Sequence, residues 1–99
     1  MYVEYSNILR AGPLTMLAER NRVTYHGRIV YLTNPETRLL RHLMHNANNI
    51  ISQQELRKAV YPNQRTGFGI IAVMIHNIRT KLGHEAIATR RGLGYLIET

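Results

Sequence analysis

Cysteine, tryptophan and aspartate are missing from the 99 residues, and serine stands only at Ser6 and Ser52. Each absence removes a chemistry. Without cysteine there are neither disulfides nor thiolate metal ligands, a composition at home in a reducing cytoplasm. With no aspartate or cysteine, and no histidine with a sequence-evident carboxylate partner for acid–base work, catalytic machinery has no local motif to stand on, so an enzyme is not expected. No apolar run reaches the length of a membrane-spanning helix, and the start of the chain, with Glu4 and no apolar core, is not a secretory signal. There is no internal repeat, low-complexity tract or linker. The length suits one domain with a modest core: 1–7 as a flexible N-terminus and 8–99 as the folded unit. No cofactor or metal is implied.

Positive charge is abundant. Thirteen Lys+Arg face six acids, all of them Glu, for a formal net charge of +7. Between positions 56 and 97 the basic side chains are Arg57, Lys58, Arg65, Arg79, Lys81, Arg90 and Arg91, against Glu85 alone. A surface of this kind attracts nucleic acid or anionic membrane. These cations do not sit opposite a bulky apolar face, which favours nucleic acid over membrane.

The charge sits on a readable pattern. Ile71, Ile75, Ile78 and Leu82 recur at i, i+4, i+7 and i+11, which predicts a helix over 70–82 with one apolar stripe. Val73, His76, Asn77 and Thr80 repeat on its opposite side, with Arg79 and Lys81 on the flanks. Gly83 is its expected stop. In the segment 87–97, two short β-prone runs bracket Arg90-Arg91-Gly92-Leu93-Gly94, which predicts a hairpin with a cationic, glycine-rich tip. Planar guanidinium groups suit phosphate or a narrow minor groove.

Upstream, turn chemistry at Ala11-Gly12-Pro13, Glu19-Arg20-Asn21 and His26-Gly27 separates four expected strands at 8–10, 14–18, 22–25 and 28–32. A first helix should begin after Thr33 or Asn34, with Pro35 at its first helical position and Glu36 at the positive end of the dipole. Leu39, Leu40, Leu43, Met44 and Ala47 form its core face. His42 and His45 lie three apart on it, but nothing acidic or thiol-bearing completes a metal site, so both are expected on the surface. Asn48 or Asn49 suits the left-handed turn that follows. Ser52 with Glu55 reads as a capping box for a second helix that ends near Tyr61, with Leu56, Ala59 and Val60 inward, before Pro62.

The run Ile87-x-Thr89-x-Arg91-Gly92-x-Gly94-Tyr95 resembles the C-terminal signature of the OmpR/PhoB-type winged-helix DNA-binding domain, the output module of many bacterial two-component response regulators. The stretch from Val30 to Leu40 resembles that family's "leucine, threonine, two residues, glutamate" opening of the first helix, and Ile51 to Leu56 its second-helix start. The likeness extends from about Ile8 to Ile97. It implies an α+β fold: a winged helix-turn-helix with an N-terminal four-stranded antiparallel sheet, three helices and a C-terminal β-hairpin wing. It also implies a sequence-specific, double-stranded DNA-binding transcriptional regulator, cytoplasmic and nucleoid-associated. Helix 70–82 would enter the major groove with Val73, His76, Asn77 and Thr80 at the bases. Arg65, Arg79, Lys81, Thr89 and Arg90 would meet phosphates, and Arg91 would lead the wing into the adjacent minor groove. Tyr95 would brace the wing by packing.

The sequence departs from that family at the start of the recognition helix. Gly67-Phe68-Gly69-Ile70-Ile71-Ala72 carries no charge, where the family usually places an arginine and an aspartate near the positions of Gly69 and Ala72. A phosphate anchor is therefore missing, and base preference should differ. Phe68 is either a core plug or an exposed handle for a protein partner. The alternative reading is a protein-interaction module that binds RNA polymerase or another regulator through 62–72. By resemblance, copies would pair as a homodimer or bind in tandem on direct repeats, and the N-terminal sheet offers an edge for association. The family's receiver domain is not in this sequence, which is either an excised output domain or a naturally short protein, and a start at Met1 favours the second.

Overall fold

The computed structural model describes residues 8–64, 66–67 and 69–99, so the N-terminal segment 1–7, Arg65 and Phe68 lie outside the described residues. The expected four strands form, as β1 (Ile8–Ala11), β2 (Leu14–Leu17), β3 (Arg22–Tyr25) and β4 (Arg28–Tyr31). They pair antiparallel in the order β1-β2-β3-β4. Side chains alternate faces along a strand, so the register Leu9–Met16–Val23–Val30 puts one apolar row on a single side. Met16, Val23 and Val30 are buried there against the helices, whereas Ile29 and Tyr31 of the edge strand face outward and are exposed.

Helix α1 (Asn34–His45) starts at a complete capping box. The Glu36 backbone N–H donates to Thr33 Oγ1 (3.3 Å), and the Thr33 N–H donates to Glu36 Oε1 (2.9 Å). Glu36 therefore does more than complement the dipole, because two of the helix's unsatisfied donors end on this pair. Helix α2 (Gln53–Val60) is capped by Ser52, whose Oγ accepts from the Glu55 N–H at 3.1 Å. Here the expected box is only half made: the Glu55 carboxylate turns to α1 instead and meets His42 Nε2 at 2.7 Å. His42 is accordingly a half-buried tie between α1 and α2, while His45 is exposed as expected.

Helix α3 (Ile70–Leu82) buries Ile71, Met74, Ile75, Ile78 and Leu82 and stops at Gly83. A short 3-10 turn, His84–Ala86, leads into the hairpin of β5 (Ala88–Arg90) and β6 (Gly94–Leu96). One connection was not visible in the sequence. Ile51, just before α2, pairs with Tyr95: the Ile51 N–H donates to the Tyr95 carbonyl (2.8 Å) and the Tyr95 N–H to the Ile51 carbonyl (3.0 Å). This ties the wing to the body of the domain. Gly94 makes the approach feasible, since a Cβ at that position would lie 2.1 Å from the Ile51 oxygen. The core that all these elements share includes Leu39, Leu40, Leu43, Leu56, Ile75, Ile78, Ile87 and Ile97.

Candidate nucleic-acid interface

Because the apolar stripe of α3 is spent on the core, its other side is offered outward. Val73 is 56% exposed, and Ala72, His76, Asn77 and Thr80 are exposed beside it. This face carries a methyl surface, an imidazole, a carboxamide and a hydroxyl, and no fixed charge. Thr80 Oγ1 donates its proton to the His76 carbonyl one turn back (2.9 Å), so toward a ligand this hydroxyl acts as an acceptor. Asn77 has no hydrogen-bond partner among the described residues, so it offers both a donor and an acceptor, the pair that matches an adenine edge.

The flanks of α3 hold the cations expected at phosphates, and the structure gives each of them an internal partner. Lys81 Nζ lies 2.6 Å from Glu36 Oε1, a carboxylate that is only 5% exposed. Burial by itself would raise the Glu36 pKa. The hydrogen bond from Lys81, the backbone N–H of Thr33, the Lys81 charge and the Thr33 hydroxyl together outweigh it and hold the carboxyl below its ordinary value. Arg79 turns toward the wing: Nε (3.1 Å) and Nη2 (2.7 Å) both donate to the Ile87 carbonyl, and Nη2 also donates to Thr89 Oγ1 (2.7 Å). Its guanidinium carbon stands 5.9 Å from the centre of the Tyr95 ring. Thr89 is thus an acceptor inside the protein as well as an exposed residue of β5. At the carbonyl end of α3, Arg28 of β4 donates to the Leu82 (2.6 Å) and Lys81 (3.2 Å) carbonyls, satisfying groups that the helix leaves open.

The wing presents the remaining charge. Arg90 pairs with Glu98 (2.8 Å), whereas Arg91 at the tip is exposed and has no partner among the described residues. Gly92, at φ 77, makes the turn, and the Leu93 N–H closes it on the Arg90 carbonyl at 2.9 Å. Leu93 is 64% exposed, so an apolar side chain stands next to the free guanidinium. Tyr95 is buried, as a brace should be, and its hydroxyl accepts from Gln53 Nε2 at 3.3 Å. Arg65 and Phe68 lie outside the described residues.

Sequence reasoning missed the start of α2. Gln53 and Gln54 line an open cleft of about 350 Å³ toward Gly69 and Ile70 of α3, and they also line a second, of about 360 Å³, toward Arg90 and Leu93 of the wing. The N-terminus of α2 therefore sits between the outward face of α3 and the wing, and its dipole adds positive potential between them. A capping motif announces such a helix end but not what lies beside it. Among the described residues no group of three metal-ligating side chains is gathered, and no helix is long and apolar enough to cross a membrane.

Three comparisons bear on this geometry. The family described as transcriptional regulatory protein, C terminal, matches residues 27–97. The chain is similar to response regulator protein PmrA of Pseudomonas aeruginosa, with 34% identity over 88 residues, covering 88% of this chain and 40% of that protein. It thus spans well under half the length of that curated relative. Among solved structures it is similar to the DNA-binding domain of CpxR from E. coli, at TM-score 0.78 and 30% identity over 95% of this chain and 98% of that one. It is also similar to the Klebsiella pneumoniae RstA DNA-binding domain, solved in complex with the RstA box, at TM-score 0.78 and 25% identity over 93% of this chain and 97% of that one.

Proposed function

The chain belongs to the family of transcriptional regulatory protein C-terminal domains, and from that premise we propose that it recognises specific double-stranded DNA and regulates transcription. The observation that carries this reading is the division of α3: a buried apolar stripe on one side, and Val73, His76, Asn77 and Thr80 exposed on the other, beside a wing whose Arg91 has no partner among the described residues. The α3 face enters the major groove, where Asn77 pairs with an adenine edge, Val73 lies against a thymine methyl, and His76 and Thr80 bond to bases or phosphate. Arg91 reaches into the adjacent minor groove, and Arg90 and Thr89 hold the backbone beside it. Ser52, Gln53 and Gln54 at the α2 N-terminus meet the intervening phosphate.

Lys81 serves the fold through Glu36 and is set aside as a phosphate contact. On DNA, copies sit side by side on repeated half-sites, since one small module binds weakly alone; the alternative reading is a protein-interaction module that holds RNA polymerase or another regulator through the segment 62–72. All of this takes place in the cytoplasm, at the nucleoid.

The test is selection of a binding site from random duplexes, followed by titration of variants on the winner and on a scrambled duplex. Arg91→Ala should weaken both complexes alike, by about tenfold, and Asn77→Ala should mainly erase the difference between them. Two variants indistinguishable from the parent on both duplexes would sink the assignment. A binding constant that does not fall with salt would point to a protein partner instead.

A further inference from the structure

Arg79 is the most heavily engaged cation of α3, and its engagement is with the wing. Three of its five N–H donors are committed to β5 and the residue before it: Nε and one Nη2 hydrogen to the Ile87 carbonyl, the other Nη2 hydrogen to Thr89 Oγ1. The cation also rests against the face of Tyr95 in β6. One side chain of the recognition helix thus touches both strands of the hairpin. The two-bond pairing of Ile51 with Tyr95 fixes the wing to the start of α2, but the described residues show no other side-chain hydrogen bond between α3 and the hairpin.

We propose that Arg79 is a positioning residue: it sets the angle between the recognition helix and the wing, and the DNA contact of Arg91 depends on it. This rests on the DNA-binding reading above. Two contact elements on one body gain from each other only when both reach their grooves at once. A wing free to swing presents Arg91 at a low effective concentration, and its contribution falls. The fork geometry explains why the residue is arginine. A lysine would keep the charge but could not bond one carbonyl through two nitrogens while reaching the Thr89 hydroxyl.

The experiment is a double-mutant cycle on the selected duplex, with Arg79→Met, Arg79→Lys and Arg91→Ala, alone and combined. Positioning requires that Arg79→Lys weaken binding nearly as much as Arg79→Met. It also requires that Arg91→Ala, costing about tenfold in the parent, cost less than about twofold once Arg79 is replaced. If Arg79 held a phosphate directly, Arg79→Lys would retain most of the affinity, and the losses from positions 79 and 91 would multiply. That outcome overturns the proposal.

A second measurement needs no DNA. Residual dipolar couplings of the free protein should show β5 and β6 reoriented or averaged relative to α3 in Arg79→Met, and an unchanged orientation refutes the claim. Thr89→Val, which removes only the hydroxyl, serves the same purpose if Arg79→Met fails to fold. If the parent protein binds no duplex at all, the functional reading falls, while the couplings still decide whether Arg79 orients the wing.

Discussion

Lys81 invites a decisive perturbation, because its position on the flank of α3 and its contact inside the protein argue for different roles. Replacing it with Met keeps the stem and removes the ammonium, which leaves Glu36 charged in a site where it is only 5% exposed. Losing one member of a buried ion pair costs about 3–5 kcal/mol. Here the Lys81 side chain is 36% exposed, so solvent already screens part of the attraction, and the Thr33 N–H still serves the carboxylate at 2.9 Å. We therefore expect about 2–3 kcal/mol, or a fall in Tm of roughly 10–20 °C for a domain of this size.

The loss should depend on pH. The partners of Glu36 hold its pKa below the ordinary value, so its contribution is complete above the unfolded carboxyl pKa and disappears as pH falls through the folded one. In Lys81→Met the charged carboxylate keeps its bonds to Thr33 but loses the ammonium that offset its burial, so the variant is weakest relative to the parent near neutrality. The gap between parent and variant should narrow as Glu36 protonates in acid. Urea unfolding at several pH values reads both effects, and the double variant Glu36→Gln with Lys81→Met should recover part of the loss. An unchanged urea midpoint, together with weaker DNA binding and a salt slope shallower by about one, would refute the argument and restore Lys81 to the phosphates.

Further expectations follow from the same contacts. Gly94→Ala puts a Cβ against the Ile51 oxygen at a backbone angle of φ 148, and should cost about 2–4 kcal/mol in urea unfolding while loosening the wing amides in hydrogen exchange; a loss below about 1 kcal/mol would contradict the close approach. Thr33→Ala breaks a complete capping box, whereas Ser52→Ala breaks half of one, so the first should cost about 1–2 kcal/mol and the second about 0.5–1. Thermal unfolding of the two variants should rank them in that order. Val73→Thr alters an exposed position and should leave stability within about 0.5 kcal/mol while changing which bases are preferred in a repeat of the site selection.

Local pattern was enough for most of the architecture. The spacing of Ile71, Ile75, Ile78 and Leu82 determined which side of α3 is buried, and hence that Val73, His76, Asn77 and Thr80 face out, because a helix has one fixed period and one apolar stripe settles its rotation. The turn residues separated the four strands, and the Arg-Gly-Leu-Gly run located the wing. What the sequence left undecided is the occupation of the charges. Glu36 and Lys81 lie 45 positions apart, His42 and Glu55 are 13 apart, and Arg28 caps a helix end more than fifty residues downstream. No periodicity links such pairs, since only the packing of α1, α2, α3 and the sheet brings them within reach. Composition announces a cationic protein, but tertiary structure alone determines which cations are spent inside the fold and which, like Arg91, are left facing out.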